Sequence, residues 1–177
     1  MLHGNGGSKG IDNWFPYIKS ELEKLGHVCE APDLPDPILS RSSIWLPYFK
    51  DVLMIGPYDI VVGHSSGSLA IMKYAEDNAI GGSVLVGTYY TDLGYEDEKN
   101  SGYFDTPWHW AMIKANQPWT AIYASTDDPY IPIEEPRFIK EKLDSEYFEY
   151  NDEGHFGGHN HPKLEFPELL EFLKTKL

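Results

Sequence analysis

The chain has 177 residues, 41% of them hydrophobic and 24% charged, which predicts a single globular domain over residues 1–177 with a core large enough for three layers. Its formal net charge of −14 argues against nucleic-acid and anionic-membrane partners, which need a basic surface, and no apolar stretch approaches the roughly 18 residues of a membrane span. The single cysteine, Cys29, excludes an intrachain disulfide, and we expect a cytoplasmic protein.

Short apolar runs alternate with helical patterns along the chain. The first pattern, over residues 13–25, is amphipathic and ends at Gly26. Helices are predicted over 13–25, 42–54, 66–78, 108–115, 134–143 and 166–177. Strands are predicted over 27–31, 59–63, 83–87, 119–124 and 147–150, with loops over 32–37 and 93–104. Such alternation predicts an α/β fold, a Rossmann-like parallel sheet with helices on both faces.

The sequence GHSSG at residues 63–67 has the form G-x-S-x-G and lies between a predicted strand and a predicted helix. In that context the turn forces the serine into a strained backbone conformation, and the two glycines leave room for it. The N-terminus of the following helix would point at a developing oxyanion. The pattern predicts that Ser65 is a nucleophile. The alternative is a tight glycine turn with no catalytic role.

A nucleophilic serine needs a histidine base and an orienting carboxylate, which follow it in the order acid, then histidine, in hydrolases built on this turn. The strand predicted over 119–124 runs into a loop that contains Asp127 and Asp128, and the strand over 147–150 runs into a loop that contains His155. Parallel sheets place their sites at the carboxyl ends of strands. Adjacent residues in an extended loop point in opposite directions, so only one aspartate can face His155.

The glycine-rich residues 3–10 indicate an oxyanion loop. An oxyanion hole needs two N–H donors aimed at one point. We expect one from Ser66 and the other from Asn5, with Gly6 as the alternative to Asn5. A phosphate-binding loop is disfavoured, because the G-x-x-x-x-G-K-[ST] spacing is absent and no G-x-G-x-x-G follows a strand.

Three histidines near the C-terminus, His155, His159 and His161, are close enough in sequence to suggest a metal site. No acidic or cysteine ligand has metal-site spacing beside them, so a surface histidine cluster is favoured, and we expect no metal and no cofactor. His64 is expected to be a packing neighbour of the turn. The acidic residues 96–98 are interpreted as a solvated loop.

Several aromatic side chains could line an acyl pocket. The candidates are Trp45, Trp108 and Tyr130, with Trp110 beside them. Aromatic residues at such spacing also occur in hydrophobic cores, and the sequence leaves the two interpretations open.

The chain resembles the small serine hydrolases of the retinoblastoma-binding protein nine type, the YdeN-like α/β-hydrolases. The similarity extends over nearly the whole chain. The matching stretches are HGNGG at 3–7, PDP at 35–37, SIWLP at 43–47, GHSSG at 63–67, TDLG at 91–94, SGYF at 101–104, IKAN at 113–116, STDDP at 125–129 and GHF at 154–156. The resemblance implies a compact α/β-hydrolase fold without a cap domain. By position it implies Ser65 as nucleophile, Asp128 as acid and His155 as base.

Two departures from the family pattern affect the expectations. The L-x-C-x-E motif associated with retinoblastoma-protein binding is absent from residues 52–57, so that partner is not expected. Only Met1 and Leu2 precede the glycine loop, and a strand usually needs about five residues, so we expect a truncated first strand.

Two functions remain from the sequence. The favoured one is a serine hydrolase that cleaves small esters, amides or peptides through an acyl-enzyme. The alternative is a non-catalytic protein-interaction module that retains the hydrolase fold.

Overall fold

The computed structural model describes residues 1–158 and 161–177 and contains, within these ranges, one sheet of four parallel strands. The strands pair in chain order, so each strand has its sequence neighbours beside it. Their bounds are β1 Ile60–His64, β2 Gly82–Val86, β3 Thr120–Ser125 and β4 Glu146–Tyr150. All four lie within one residue of predicted bounds, and the fifth predicted strand, over 27–31, is not formed.

Seven helices accompany the sheet in the described ranges. They are α1 Phe15–Lys24, α2 Ser42–Asp51, α3 Ser66–Ala75, α4 Glu96–Lys99, α5 Trp110–Ala115, α6 Glu134–Leu143 and α7 Pro167–Lys174. The bounds of α6 are those predicted, and most of the others are shorter than predicted by a few residues. The residues predicted in excess lie at the ends of helices, where the boundary is least sharply defined by sequence or structure.

The helices form two layers, because consecutive strand residues face opposite sides of the sheet. Val61 of β1 packs in one core with side chains of α2, α3, α5 and α6. Val62, its neighbour, packs in a second core with side chains of α1 and α7. The second core is rich in aromatic residues, among them the fully buried Trp14 and Phe166. The predicted three-layer α/β arrangement is confirmed.

Residues Met1 to His3 run parallel to β1 at the position expected for a first strand. Leu2 pairs with Gly63 in an isolated parallel bridge. The Leu2 N–H donates to the Val62 carbonyl at 2.8 Å, and the Leu2 carbonyl accepts from the His64 N–H at 3.0 Å. The glycine-rich loop that follows is thereby brought to the carboxyl end of β1.

The prediction of a strand over residues 27–31 is wrong. This segment lies beside Met1, whose amine donates to the Glu30 carbonyl at 2.6 Å, but it forms no ladder in the described chain. A strand needs repeated backbone pairing with a neighbour, and the neighbouring segment directs its own hydrogen bonds to β1. Val28 is 94% exposed, and Leu25, the last residue of the amphipathic pattern predicted over 13–25, is 53% exposed.

The loop predicted over 93–104 contains the short helix α4. Its first turn carries Glu96, Asp97 and Glu98, and carboxylates at a helix N-terminus are stabilised by the helix dipole. Lys99 lies in the last turn, where a cation is favoured. The acidic run that suggested a solvated loop is therefore also suited to a helix start.

No helix in the described parts of the chain is both long enough and apolar enough to span a bilayer.

Candidate active site

The turn between β1 and α3 has the strained geometry predicted for it. Ser65 has φ 55° and ψ −125°, a conformation that a residue with a side chain rarely adopts. A β-carbon on Gly63 would lie 2.6 Å from the Gly67 carbonyl oxygen. One on Gly67 would lie 2.3 Å from the Leu2 carbonyl oxygen. Both positions therefore need glycine because backbone atoms occupy the space, and the role assigned to the two glycines is confirmed.

Hydrogen bonds hold the turn on both sides of the serine. The Ser65 N–H donates to the Val86 carbonyl at 2.9 Å, which joins the turn to the end of β2. The Ser68 hydroxyl donates to the Ser65 carbonyl at 2.6 Å, which joins it to the first turn of α3. The strained conformation is thus enforced by the surrounding backbone.

The imidazole of His155 contacts the carboxylate of Asp128, with 2.7 Å between His155 Nδ1 and Asp128 Oδ2. The other carboxylate oxygen accepts hydrogen bonds from the backbone N–H groups of Tyr130 and Ile131, at 2.9 and 3.1 Å. Both oxygens of Asp128 therefore have partners, and the side chain of Asp128 is only 3% exposed. Such a carboxylate can fix the orientation of an imidazole and stabilise its protonated form.

Asp127, the neighbouring aspartate, points elsewhere. Its Oδ1 accepts hydrogen bonds from the Ser125 hydroxyl and from the Gly154 N–H, the latter at 2.9 Å. These bonds, the Ser125 bond being the stronger cause, lower the pKa of Asp127. Asp127 thus ties the loop after β3 to the loop after β4, while Asp128 contacts His155.

His64 supports the loop that carries His155. Its Nε2 donates a hydrogen bond to the His155 backbone carbonyl at 2.7 Å, and its ring lies 4.8 Å from the His155 ring. Burial lowers the pKa of His64 to about 3, so its imidazole is neutral at pH 7. The expectation that His64 is a packing and hydrogen-bonding neighbour is confirmed.

Gly87 contacts the same imidazole and was not singled out in the sequence. A β-carbon at this position would lie 3.0 Å from His155 Cε1 and 3.2 Å from His155 Nδ1. Gly87 also has φ 57°, in the left-handed region. Its only signal in the sequence is that the predicted strand 83–87 ends in glycine.

One cavity of about 720 Å³ is lined by Ser65 and His155 together with Asn5 and Tyr130. The Tyr130 ring lies edge-on to the His155 ring, with 5.2 Å between centroids. The lining residues also include four carboxylates and no lysine or arginine; the carboxylates are Asp12, Glu96, Asp97 and Glu98. The described lining is therefore acidic.

The backbone of the glycine loop distinguishes the two candidate donors in it. The Gly6 N–H donates to the Ile38 carbonyl at 3.2 Å and is already used. The N–H groups of Asn5 and Ser66 have no acceptor among the described residues. A free N–H beside the serine is what an oxyanion site requires, and this favours Asn5 over Gly6.

Glu98 is buried beneath these donors, with 7% of its surface exposed, although the sequence suggested a solvated position. Its carboxylate accepts hydrogen bonds from Asn5 Nδ2 and from the Tyr89 hydroxyl, both at 2.8 Å. The Tyr89 hydroxyl lies 3.1 Å from Ser66 Oγ. Burial raises the pKa of Glu98, while its two hydrogen bonds act in the opposite direction. No local pattern in residues 96–98 distinguishes this glutamate from its exposed neighbours.

Trp45 is not part of the cavity, so its assignment to a substrate pocket is wrong. It is completely buried on the α2 side of the sheet, where its ring packs against Phe49. Its indole N–H donates to the Pro35 carbonyl at 2.6 Å, so the polar atom is satisfied inside the core.

Trp108 also lies away from the cavity that contains Ser65. It stacks on Trp110 and lines a separate depression of about 450 Å³ with Tyr90 and Phe104. Of the three aromatic candidates, only Tyr130 lies beside His155. The reason is positional, since Tyr130 follows β3 at the carboxyl edge of the sheet, whereas Trp108 precedes α5.

No group of three potential metal ligands occurs within residues 1–158 and 161–177. His161 is exposed, and His159 lies outside the described residues.

Comparisons with known proteins agree with this architecture. The family model described as serine hydrolase matches residues 1–173. The chain is 40% identical over 179 residues to serine hydrolase RBBP9 of Rattus norvegicus, covering 100% of this chain and 94% of that protein. It is 28% identical over 166 residues to YdeN of Bacillus subtilis, covering 88% of this chain and 84% of that protein.

The solved structure of the B. subtilis ydeN gene product superposes with a TM-score of 0.87 at 22% identity, covering 99% of this chain and 95% of that one. A monoacylglycerol lipase of Paleococcus ferrophilus superposes with a TM-score of 0.63 at 16% identity, covering 99% and 93%. At these identities the superpositions show a shared fold alone. They confirm the α/β-hydrolase fold, and the sequence matches confirm the predicted family resemblance.

Proposed function

The chain belongs to the serine hydrolase family, and on that premise we propose that it cleaves small esters, amides or peptides through an acyl-enzyme on Ser65. The observation that carries the proposal is the 2.7 Å contact between His155 and Asp128 at the cavity that Ser65 also lines. The strained backbone of Ser65 supports it, because strain of this kind persists where surrounding structure enforces it and is concentrated at active sites.

In the proposed reaction, His155 Nε2 removes the proton from Ser65 Oγ as the oxygen attacks the substrate carbonyl carbon. The N–H groups of Asn5 and Ser66 donate to the oxyanion, and Asp128 stabilises the imidazolium. When the intermediate collapses, the bond to the leaving group breaks and His155 gives that group its proton. A water molecule, deprotonated by His155, then attacks the acyl-enzyme and releases the acid and free Ser65.

The acidic lining of the cavity favours neutral or cationic substrates over anionic ones, since a carboxylate in the substrate would meet four protein carboxylates. We further propose that residues 1–177 act as one catalytic domain and that the protein works in the cytoplasm, where its single cysteine would stay reduced.

The test of the nucleophile is labelling with a fluorophosphonate, followed by mass mapping of the modified peptide. We expect stoichiometric labelling at Ser65, complete loss in Ser65→Ala, and retention at Ser65 in Ser66→Ala, which keeps the backbone N–H. Circular dichroism of each variant controls for folding. Equal labelling of wild type and Ser65→Ala, or labelling of Ser66, would contradict the proposal and favour the non-catalytic interaction module.

The same protein tests the substrate class with p-nitrophenyl hexanoate and the p-nitrophenyl monoester of adipate, which differ in having a terminal methyl group or a terminal carboxylate. We expect kcat/KM to be about 10-fold lower for the anionic ester at low ionic strength. The difference in kcat/KM between the two esters should become smaller as salt is added, because salt screens the charges. Equal kcat/KM values for the two esters would contradict the proposed preference for neutral or cationic substrates. The assignment of Ser65 would be unaffected.

A further inference from the structure

The glycine loop, which carries the proposed Asn5 donor, is held in part by backbone hydrogen bonds. Gly6 and Gly7 donate to the carbonyls of Ile38 and Pro37 at 3.2 and 2.9 Å, and both glycines have positive φ. The N–H of Asn5, the proposed donor, is left free by these contacts. Within the loop, His3 Nδ1 donates to the Gly4 carbonyl at 2.8 Å, and the Ser8 hydroxyl donates to the Asn5 carbonyl at 3.0 Å. The Asn5 side chain adds a contact to a distant part of the chain, because its Nδ2 donates to Glu98 Oε1 at 2.8 Å across 93 residues of sequence.

Glu98 reaches the second proposed donor as well. Its Oε2 accepts from the Tyr89 hydroxyl at 2.8 Å, and that hydroxyl lies 3.1 Å from Ser66 Oγ. An ionised carboxylate only accepts hydrogen bonds. The Tyr89 proton therefore goes to Glu98, and the Tyr89 oxygen accepts the proton of Ser66. Every donor along this line has one acceptor. Asn5 is bound to the buried carboxylate directly, and Ser66 is joined to it through the Tyr89 hydroxyl.

We propose that Glu98, acting through Asn5 and Tyr89, is a positioning residue that fixes the distance between the two oxyanion donors. This inference rests on the proposed function. Oxyanion stabilisation depends on donors held 2.7–3.1 Å from the developing charge, and a displacement of about 1 Å can cost about 100-fold in rate. Without the Glu98 contact, Asn5 would keep its contacts within the loop and would lose the link through Glu98 and Tyr89 to Ser66.

Because Glu98 also lines the cavity, the alternative role for it is direct contact with the substrate. The two roles predict different kinetics. A positioning residue acts in the transition state and lowers kcat with little change in KM, whereas a substrate ligand alters KM in a way that depends on the charge of the substrate.

The experiment compares Glu98→Gln and Tyr89→Phe with Glu96→Gln, using p-nitrophenyl butyrate and fluorophosphonate labelling of Ser65. Glu98→Gln preserves shape, but Asn5 and Tyr89 bind different carboxylate oxygens, so the amide places an NH2 group, which cannot accept, opposite one of these two donors. Tyr89→Phe removes only the hydroxyl between Glu98 and Ser66. Glu96→Gln removes the same charge from the same cavity without touching the network. The double variant Glu98→Gln/Tyr89→Phe measures whether the two side chains act as one unit.

We expect Glu98→Gln to lower kcat and the labelling rate about 10- to 100-fold with KM within about twofold. Tyr89→Phe should lower kcat about 10-fold, and the double variant should lose less than the product of the two. The inference would be overturned by an unchanged kcat in both single variants, by an effect confined to KM, or by an equal loss of kcat in Glu96→Gln. In each of these cases, labelling of wild-type Ser65 would still uphold the proposed function.

Absence of labelling in wild type would overturn the proposed function and the positioning role together. Thermal unfolding of every variant controls for stability. If Glu98→Gln does not fold, Tyr89→Phe decides, because it leaves the carboxylate and the Asn5 contact in place.

Discussion

The two sides of the cavity are held in different ways. On the serine side, residues 63–67 are consecutive, and the turn is fixed by backbone atoms in close contact at Gly63 and Gly67. On the opposite side, the groups are far apart in the chain and are joined by side-chain hydrogen bonds, such as those of Glu98 to Asn5 and to Tyr89.

The difference shows which kinds of change each side should tolerate. A backbone contact has no flexible atom that can move away, so a substitution there affects the fold. A side-chain hydrogen bond can be lost while the fold survives, so a substitution there affects the chemistry. The serine side should therefore respond in stability and the hydrogen-bonded side in rate.

The largest effect is expected in rate, at the aspartate that contacts His155. Asp128→Asn should cut the acylation rate about 10⁴-fold, because an amide leaves the imidazole in the wrong tautomer and does not stabilise its charged form. Pre-steady-state release of p-nitrophenol measures this step. Stability should change little, since the Asn oxygen can still accept from Tyr130 and Ile131.

Asp127→Asn is the matched control for this prediction. Its carboxylate bonds to Ser125 and Gly154, away from His155. We expect a change in rate of a few-fold at most. A larger loss of acylation rate in Asp127→Asn than in Asp128→Asn would assign the acid to Asp127 and contradict the role that the family resemblance implies for Asp128.

The next effect is expected in stability, on the serine side. Gly67→Ala would place a β-carbon 2.3 Å from the Leu2 carbonyl oxygen, and we expect a loss of about 3 kcal/mol or more in the free energy of unfolding. Urea denaturation measures it. Gly56→Ala is the control, since its nearest atoms would be 3.8 Å away, and it should change stability by less than about 1 kcal/mol. Similar values for both variants would refute the backbone-contact argument.

The smallest effect is expected at His64, which lies on the serine strand but bonds to the His155 loop. Burial lowers its pKa from 6.5 to about 3, so between these values the unfolded chain binds more protons than the folded one. Stability is therefore fully present above pH 6.5 and is lost as the pH falls towards 3. From pH 7 to pH 5, the free energy of unfolding should fall by about 2 kcal/mol on this account.

His64→Gln isolates this contribution from that of the other titrating groups. The variant has no imidazole at position 64, so its loss of stability between pH 7 and pH 5 should be about 2 kcal/mol smaller than that of wild type. Chemical denaturation at the two pH values gives the difference. Parallel pH curves for the two proteins would show that the His64 imidazole is not kept neutral by burial.

Elements fixed by local interactions could be predicted from the sequence. The helix α6 has the predicted bounds because its apolar side chains recur with helical periodicity and Glu134 and Glu135 favour its first turn. The turn at Ser65 could be predicted because strand, glycines, serine and helix are contiguous. Asp128 and His155 followed from positions at strand ends and from the family resemblance.

Features that depend on distant neighbours could not be predicted. Residues 27–31 have a strand-like composition, but pairing is decided by the adjacent segment. Trp45 and Tyr130 are both aromatic residues, and Trp45 is a core residue because α2 packs against the sheet. The burial of Glu98 depends on Asn5 and Tyr89, whose proximity arises only when the glycine loop and the segment after β2 meet.

Gly87 has a consequence for mutational scanning. A library with all amino acids at this position could be sorted once for soluble expression and once for activity. A side chain at 87 would press on the His155 imidazole and would have to adopt a left-handed φ of 57°, at a cost of roughly 1–2 kcal/mol, whereas one at 67 would press on backbone. Variants substituted at 67 should be depleted after both the expression sort and the activity sort. Variants substituted at 87 should be depleted mainly after the activity sort. We therefore expect substitutions at position 87 to lower activity while Ser65, Asp128 and His155 are all retained, which would suit a search for an uncleaved ligand.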